Sequence, residues 1–165
     1  MEVIMSYIDE LFAKIKEEKQ TSNRITLASF ANPELTFYGD WMNSIMSAKK
    51  CKISEIGEKM GLERRVFQYI RSRNAKNRRE ITFFEALRFC VVMNFSFPVS
   101  LEYLKLCGYY LNYGLKRDQF ISLILNNNHK SQVEENIRLD AINLVEAHYS
   151  DLRFDFLKGF MKMNK

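Results

Sequence analysis

Arg64, Arg65 and Gln68 crowd into one short helical pattern, and all three carry planar groups that make paired hydrogen bonds. An arginine fork can bond guanine O6 and N7 together, which is worth about 1–3 kcal/mol of discrimination, and a glutamine can read adenine in the same way. Around them stand Lys52, Arg71, Arg73, Lys76, Arg78 and Arg79. Their expected work is on phosphates, where contacts fix position and affinity without choosing a sequence. Six such contacts predict a log–log salt slope of roughly −5. Glu63 precedes the arginines, at the positive end of a helix dipole, where a carboxylate is stabilising; accepting a bond from cytosine N4 is its functional alternative. A solvated basic face would account for the same residue types. Against it stands the charge distribution: Lys49 to Arg79 holds eleven Lys/Arg and three Glu, a local charge of +8 in a chain whose total is +5. A patch of that sign attracts nucleic-acid backbones over long range.

The elements that must present these residues lie in ISEIGEKMGLERRVFQYI, from Ile53 to Ile70. Ile56 and Met60 share a helical face. Gly61 supplies a turn position where positive φ carries no steric penalty. Leu62, Phe67 and Ile70 continue the apolar pattern, while Gly57 removes side-chain bulk where two crossing helices would meet. The pattern predicts helices over 53–60 and 63–72 joined by a tight turn, with Arg64, Arg65, Gln68 and Arg71 on the polar side of the second: a helix-turn-helix with a basic recognition helix.

On either side the chain reads as helical. Residues 1–20 form an amphipathic pattern with Ile4, Ile8, Leu11, Phe12 and Ile15 on one side. Polar residues 20–24 and the Asn32-Pro33 step break it. A helix over 35–49 should turn Phe37, Trp41, Ile45 and Met46 to the core. Residues 72–80 read as a basic loop. Thr82 with Glu85 fits a capping box opening a helix that runs to about Asn94. Phe95-Ser-Phe-Pro98 is read as a stop, with Ser100 capping a helix from Leu101 to Cys107 or Tyr110. Helices over 116–126 and 133–162 follow, separated by Asn126-Asn127-Asn128, with a break signal at Ser150-Asp151. Sustained period-two alternation and repeats are missing, so the fold class expected is all-α.

Catalysis finds little support. His129 and His148 share no ligand spacing with Cys51, Cys90 and Cys107, there is no HExxH and no glycine-rich phosphate loop, and the carboxylates are dispersed on polar faces. We therefore expect no enzyme, no metal and no cofactor. The cysteines fit buried thiols in a reduced cytoplasm. No apolar run is long enough for a membrane span, and no secretory signal is seen. Tyr103, Tyr109, Tyr110 and Tyr113 could stack on single-stranded nucleic acid, but packing in a core or dimer interface is the expectation. The same holds for Phe154, Phe156 and Phe160.

Gly57, Gly61, Ile56, Met60, Leu62, Phe67 and Ile70 together resemble the motif of the Cro/XRE-type helix-turn-helix transcriptional regulators of bacteria and phages. The resemblance covers roughly Leu35 to Cys107. LEYLKLCGYY…KRDQFISLILNNN looks like the tail of a group of bacterial regulators in which two short helices follow the core. The resemblance implies a lambda-repressor-like five-helix DNA-binding domain with additional N- and C-terminal helices. The division it suggests is an N-terminal helix and linker (1–34), a helix-turn-helix domain (35–112) and a C-terminal helical extension for dimerisation or partner binding (113–165). The implied function is a sequence-specific, double-stranded-DNA-binding regulator, a repressor that blocks a promoter. It would act as a homodimer whose two 63–72 helices lie about one DNA turn apart. The chain departs from the family pattern where Gln commonly opens the first motif helix (Ile53), where Ser or Thr caps the second (Glu63), and in its long basic loop (73–79). Two further readings stay open: a protein-interaction module such as a phage-type inhibitor or antitoxin-like partner, and an RNA-binding protein using the arginines and tyrosines together.

Overall fold

The computed structural model describes residues 36–148 apart from Ala75, and these form seven helices and no strand. They are α1 (Tyr38–Ala48), α2 (Ile53–Lys59), α3 (Arg64–Arg71), α4 (Phe83–Val92), α5 (Phe97–Leu106), α6 (Lys116–Leu125) and α7 (Gln132–Ala147). The described part is thus all-α, as the periodicity predicts. The helix expected over 1–20 and the phenylalanines Phe154, Phe156 and Phe160 lie outside the described residues.

Helix α4 is the centre of the described residues, with Ala86, Leu87, Phe89, Cys90 and Val91 all fully buried. Its sequence carries almost no polar face, which is what a helix covered on several sides requires. Helices α2, α5 and α7 pack against it, while α1 packs on α3, and α6 bridges α5 and α7. Trp41 of α1 joins the layers: its ring stacks on Tyr103 at 5.2 Å and meets Phe95 edge-on at 5.4 Å. Phe89 lies 5.1 Å from Tyr103, so α1, α4 and α5 share one aromatic cluster. The buried apolar residues form a single core running from Phe37 to Val145, including Phe120, Ile121, Ile124, Ala141 and Ile142. The boundary expected between 112 and 113 therefore does not coincide with a break in the packing.

The caps explain where the elements start and stop. Thr82 Oγ1 accepts from Glu85 N while Glu85 Oε1 accepts from Thr82 N, the reciprocal capping box expected at α4. At its other end Asn94 takes a left-handed φ of 55°, Phe95 N donates to Cys90 O at 3.0 Å, and Asn94 N to Val91 O at 3.0 Å. That pair of bonds closes the helix as a Schellman turn. The next start differs from the expectation. Ser96, not Ser100, is the N-cap of α5, accepting from Val99 N. Pro98 sits inside the first turn, where its missing N–H has no intrahelical partner to lose, so it opens the helix instead of blocking it. Ser100 is fully buried within α5. Helix α7 closes at Ala147, with His148 as its C-cap; the remainder of the span predicted to 162 lies, from 149, outside the described residues.

Candidate nucleic-acid interface

The turn between α2 and α3 has the geometry that its residues predict. Gly61 adopts φ +75°, and Leu62 N reaches back to Gly57 O at 2.9 Å. Ile56, Met60, Phe67 and Ile70 are buried. A Cβ placed on Gly57 would lie 2.8 Å from Phe67 Cδ2, so the absent side chain is what lets α3 close on α2. The end of α3 is held equally tightly against α1: a Cβ on Gly39 would lie only 2.3 Å from Arg71 O.

With Phe67 and Ile70 turned inward, Arg64, Arg65 and Gln68 are left exposed on the opposite side of α3. None of the three has an ion pair or side-chain hydrogen bond to another described residue. The first turn of α3 contains no acidic residue, and Glu63 at the N-cap makes no capping bond. Two arginines therefore sit at the positive end of a helix dipole, where cations are disfavoured. The dipole gives no reason for them to be there.

The six expected phosphate contacts divide. Lys52 and Lys76 are exposed and without a carboxylate partner among the described residues. Arg73 reaches Asp40 at 3.4 Å, and Arg78 pairs with Glu80 at 2.8 Å; both lie over the Phe37 ring and remain exposed. Such exposed pairs are weak and can exchange a carboxylate for a phosphate. Arg71 and Arg79 turn out to be committed to the protein itself. Arg71 donates to Asn43 Oδ1 at 2.6 Å and stacks on Phe67 at 4.6 Å, because the last turn of α3 faces α1. Burial lowers its pKa from the ordinary arginine value. Arg79 grips both oxygens of Glu85 at 2.9 and 2.6 Å, fastening the loop to the start of α4. Burial opposes ionisation of Glu85, but Arg79 and the bonds to Thr82 outweigh it and leave the carboxyl below its usual pKa.

A cleft of about 800 Å³ opens between the start of α2 and the exposed side of α3, lined among others by Lys52, Ile53, Glu58, Arg64, Gln68 and Arg71. It places two phosphate candidates (Lys52 and the internally bonded Arg71), two of the three base-facing candidates and the apolar Ile53 on one surface. The tyrosines do not gather there or anywhere else. Tyr103 is fully buried, Tyr109 donates to Ile81 O at 2.7 Å, and Tyr110 and Tyr113 are exposed. The packing expected of them holds for Tyr103 and Tyr109, while Tyr110 and Tyr113 lie on the surface.

One polar network escaped the sequence reading. Arg138 of α7 is fully buried, donating to Asn94 Oδ1 (3.2 Å), Ile124 O (3.0 Å) and His129 Nδ1 (2.9 Å). Burial first, and then the Arg138 charge, push His129 down to a pKa of about 4. Nearby Glu135 accepts from Lys59 at 3.3 Å, tying α7 to the end of α2. The available signal was spacing: Arg138 shares a face with Ala141, Ile142 and Val145. Burial also raises the Cys90 thiol to about 12, consistent with an inert buried thiol; Cys51 and Cys107 are half-buried. Among the described residues no group of His, Cys, Asp or Glu converges as a metal site, and no helix is long and apolar enough to cross a membrane.

Comparison with protein-family models, with curated proteins and with solved structures finds no match to this chain.

Proposed function

We propose that this protein is a sequence-specific, double-stranded-DNA-binding transcriptional regulator of the lambda-repressor-like, Cro/XRE type, acting as a repressor. Helix α3 enters the major groove and presents Arg64, Arg65 and Gln68 to base edges. Lys52, Lys76, Arg73 and Arg78 hold phosphates on either side, and a homodimer sets two α3 helices one DNA turn apart. The observation that carries this reading is the state of Arg64 and Arg65. They are exposed, unpaired among the described residues and set against the helix dipole, on a helix whose other face is locked into the core. Residues that oppose local stability in this way are expected at functional surfaces.

Fluorescence anisotropy with duplex DNA, single-stranded DNA and RNA across a salt series tests the proposal. Duplex containing a site selected from a random pool should bind tightest. With Arg71 and Arg79 occupied internally, four phosphate contacts per protomer predict a salt slope of roughly −4 per protomer instead of −5, or about −7 for the homodimer. Replacing Arg64 and Arg65 by Ala should erase the difference between selected and random duplex. Undiminished discrimination in that variant would refute the assignment of α3, and preference for RNA or single strands would refute the choice of ligand.

A further inference from the structure

We infer that Ile53 is a specificity-determining residue that reads the C5-methyl group of a thymine; the inference rests on α3 being the base-reading helix and deepens that reading. Ile53 is the first residue of α2 and is 44% exposed. Five large apolar side chains are markedly exposed among the described residues, namely Ile53, Tyr110, Tyr113, Leu115 and Val133. Of these, Ile53 alone lines the cleft beside α3, together with Arg64 and Gln68. The core does not need it: α2 is anchored by Ile56 and Met60.

The neighbours specify the occupant. Lys52 precedes Ile53 in the chain and Arg64 lines the same cleft, where only Glu58 carries negative charge. An apolar protein surface would have to desolvate those cations on docking, whereas a DNA groove supplies phosphates for them. Within the major groove the apolar group that distinguishes one base from the others is the thymine methyl, and apolar side chains are its partners. A β-branched side chain is stiff at χ1, so holding Ile53 against that methyl costs little conformational freedom. Arginine, glutamine and isoleucine on one cleft thus form a set matched to guanine, adenine and thymine.

The test is thymine-by-thymine replacement with deoxyuridine in the duplex selected from a random pool, which deletes one methyl group and keeps every hydrogen bond. Wild-type protein should lose about 4-fold in affinity at one thymine per half-site, the worth of one buried methyl-sized group. Ile53→Ala should show no methyl dependence at that thymine while still discriminating at the bases read by Arg64 and Arg65. Ile53→Val should retain part of the effect, and circular dichroism should show both variants folded, since the side chain is outside the core. A selected site in which no thymine methyl matters more to wild type than to Ile53→Ala would overturn the role of Ile53 and leave duplex recognition by α3 standing. Failure to select any duplex would overturn both.

Discussion

Gly39→Ala is the sharpest probe of how α3 is held. Gly39 lies in the first turn of α1, and its added Cβ would meet Arg71 O at 2.3 Å and Phe37 Cε2 at 2.5 Å. The oxygen is backbone at the end of α3, so it cannot rotate away as a flexible side chain could. The two helices must separate by about an ångström to restore ordinary contact, and such overpacking costs typically 1–3 kcal/mol or more. Alanine returns at most about 1 kcal/mol through its better helix propensity, and less in a first turn. The net expectation is a loss of about 2 kcal/mol. For a chain of this size that corresponds to a fall in Tm of roughly 4–8 °C, read by thermal melting followed by circular dichroism. Because Arg71 also holds Asn43, the displacement shifts the whole exposed face of α3, so binding to the selected duplex should weaken at temperatures where the variant is still folded. An unchanged or raised Tm would refute the close approach of α3 to α1, since helix propensity would then be the only term left.

Two further outcomes follow from single positions. Gly61→Ala meets no neighbouring atom but must hold φ near +75°, so it should lose about 1–2 kcal/mol through strain alone, with chemical denaturation as the measurement. His129, held at about pKa 4 against 6.5 for a free side chain, is neutral in the folded state through most of the acid range. The unfolded chain takes up that proton near pH 6.5 and the folded chain does so only near pH 4. Stability therefore falls as pH is lowered through this window, by on the order of 3 kcal/mol. His129→Gln should flatten that part of the profile in urea melts at stepped pH, and an identical profile would show that His129 is not responsible.

Most of the helical framework was legible in the residues. Periodicity located the helices, Thr82 and Glu85 announced a capping box that is present, and Gly57 and Gly61 carried a crossing and a turn that both exist. Ser96 and Pro98 were misread because a serine and a proline at the head of a helix use the same residue types as a stop, and only the backbone distinguishes them. The make-up of the candidate surface was legible in part. Which face of α3 looks outward follows from Phe67 and Ile70, so the exposure of Arg64, Arg65 and Gln68 was readable from spacing. Arg71 and Arg79 were not, since their partners Asn43 and Glu85 come from other elements. Charge counts record how many cations a segment holds and say nothing about which are already spoken for. Gly39 was invisible for the same reason, and for Arg138 spacing gave the buried face but not the partners Asn94 and Ile124, which come from other elements.

The continuous core from Phe37 to Val145 has a consequence for how such a protein can be altered. A chain cut or recombined between 112 and 113 would strip Phe120, Ile124 and Ile142 from the helices that cover them, and the remaining half would expose the flank of α4 to water. The segments on the two sides of 112 are thus not interchangeable parts, and α1–α5 grafted onto a different tail would leave that flank of α4 uncovered. Room for substitution lies instead on the outward side of α3 and at the rim of the adjoining cleft, where Arg64, Arg65, Gln68 and Ile53 are exposed and outside the core.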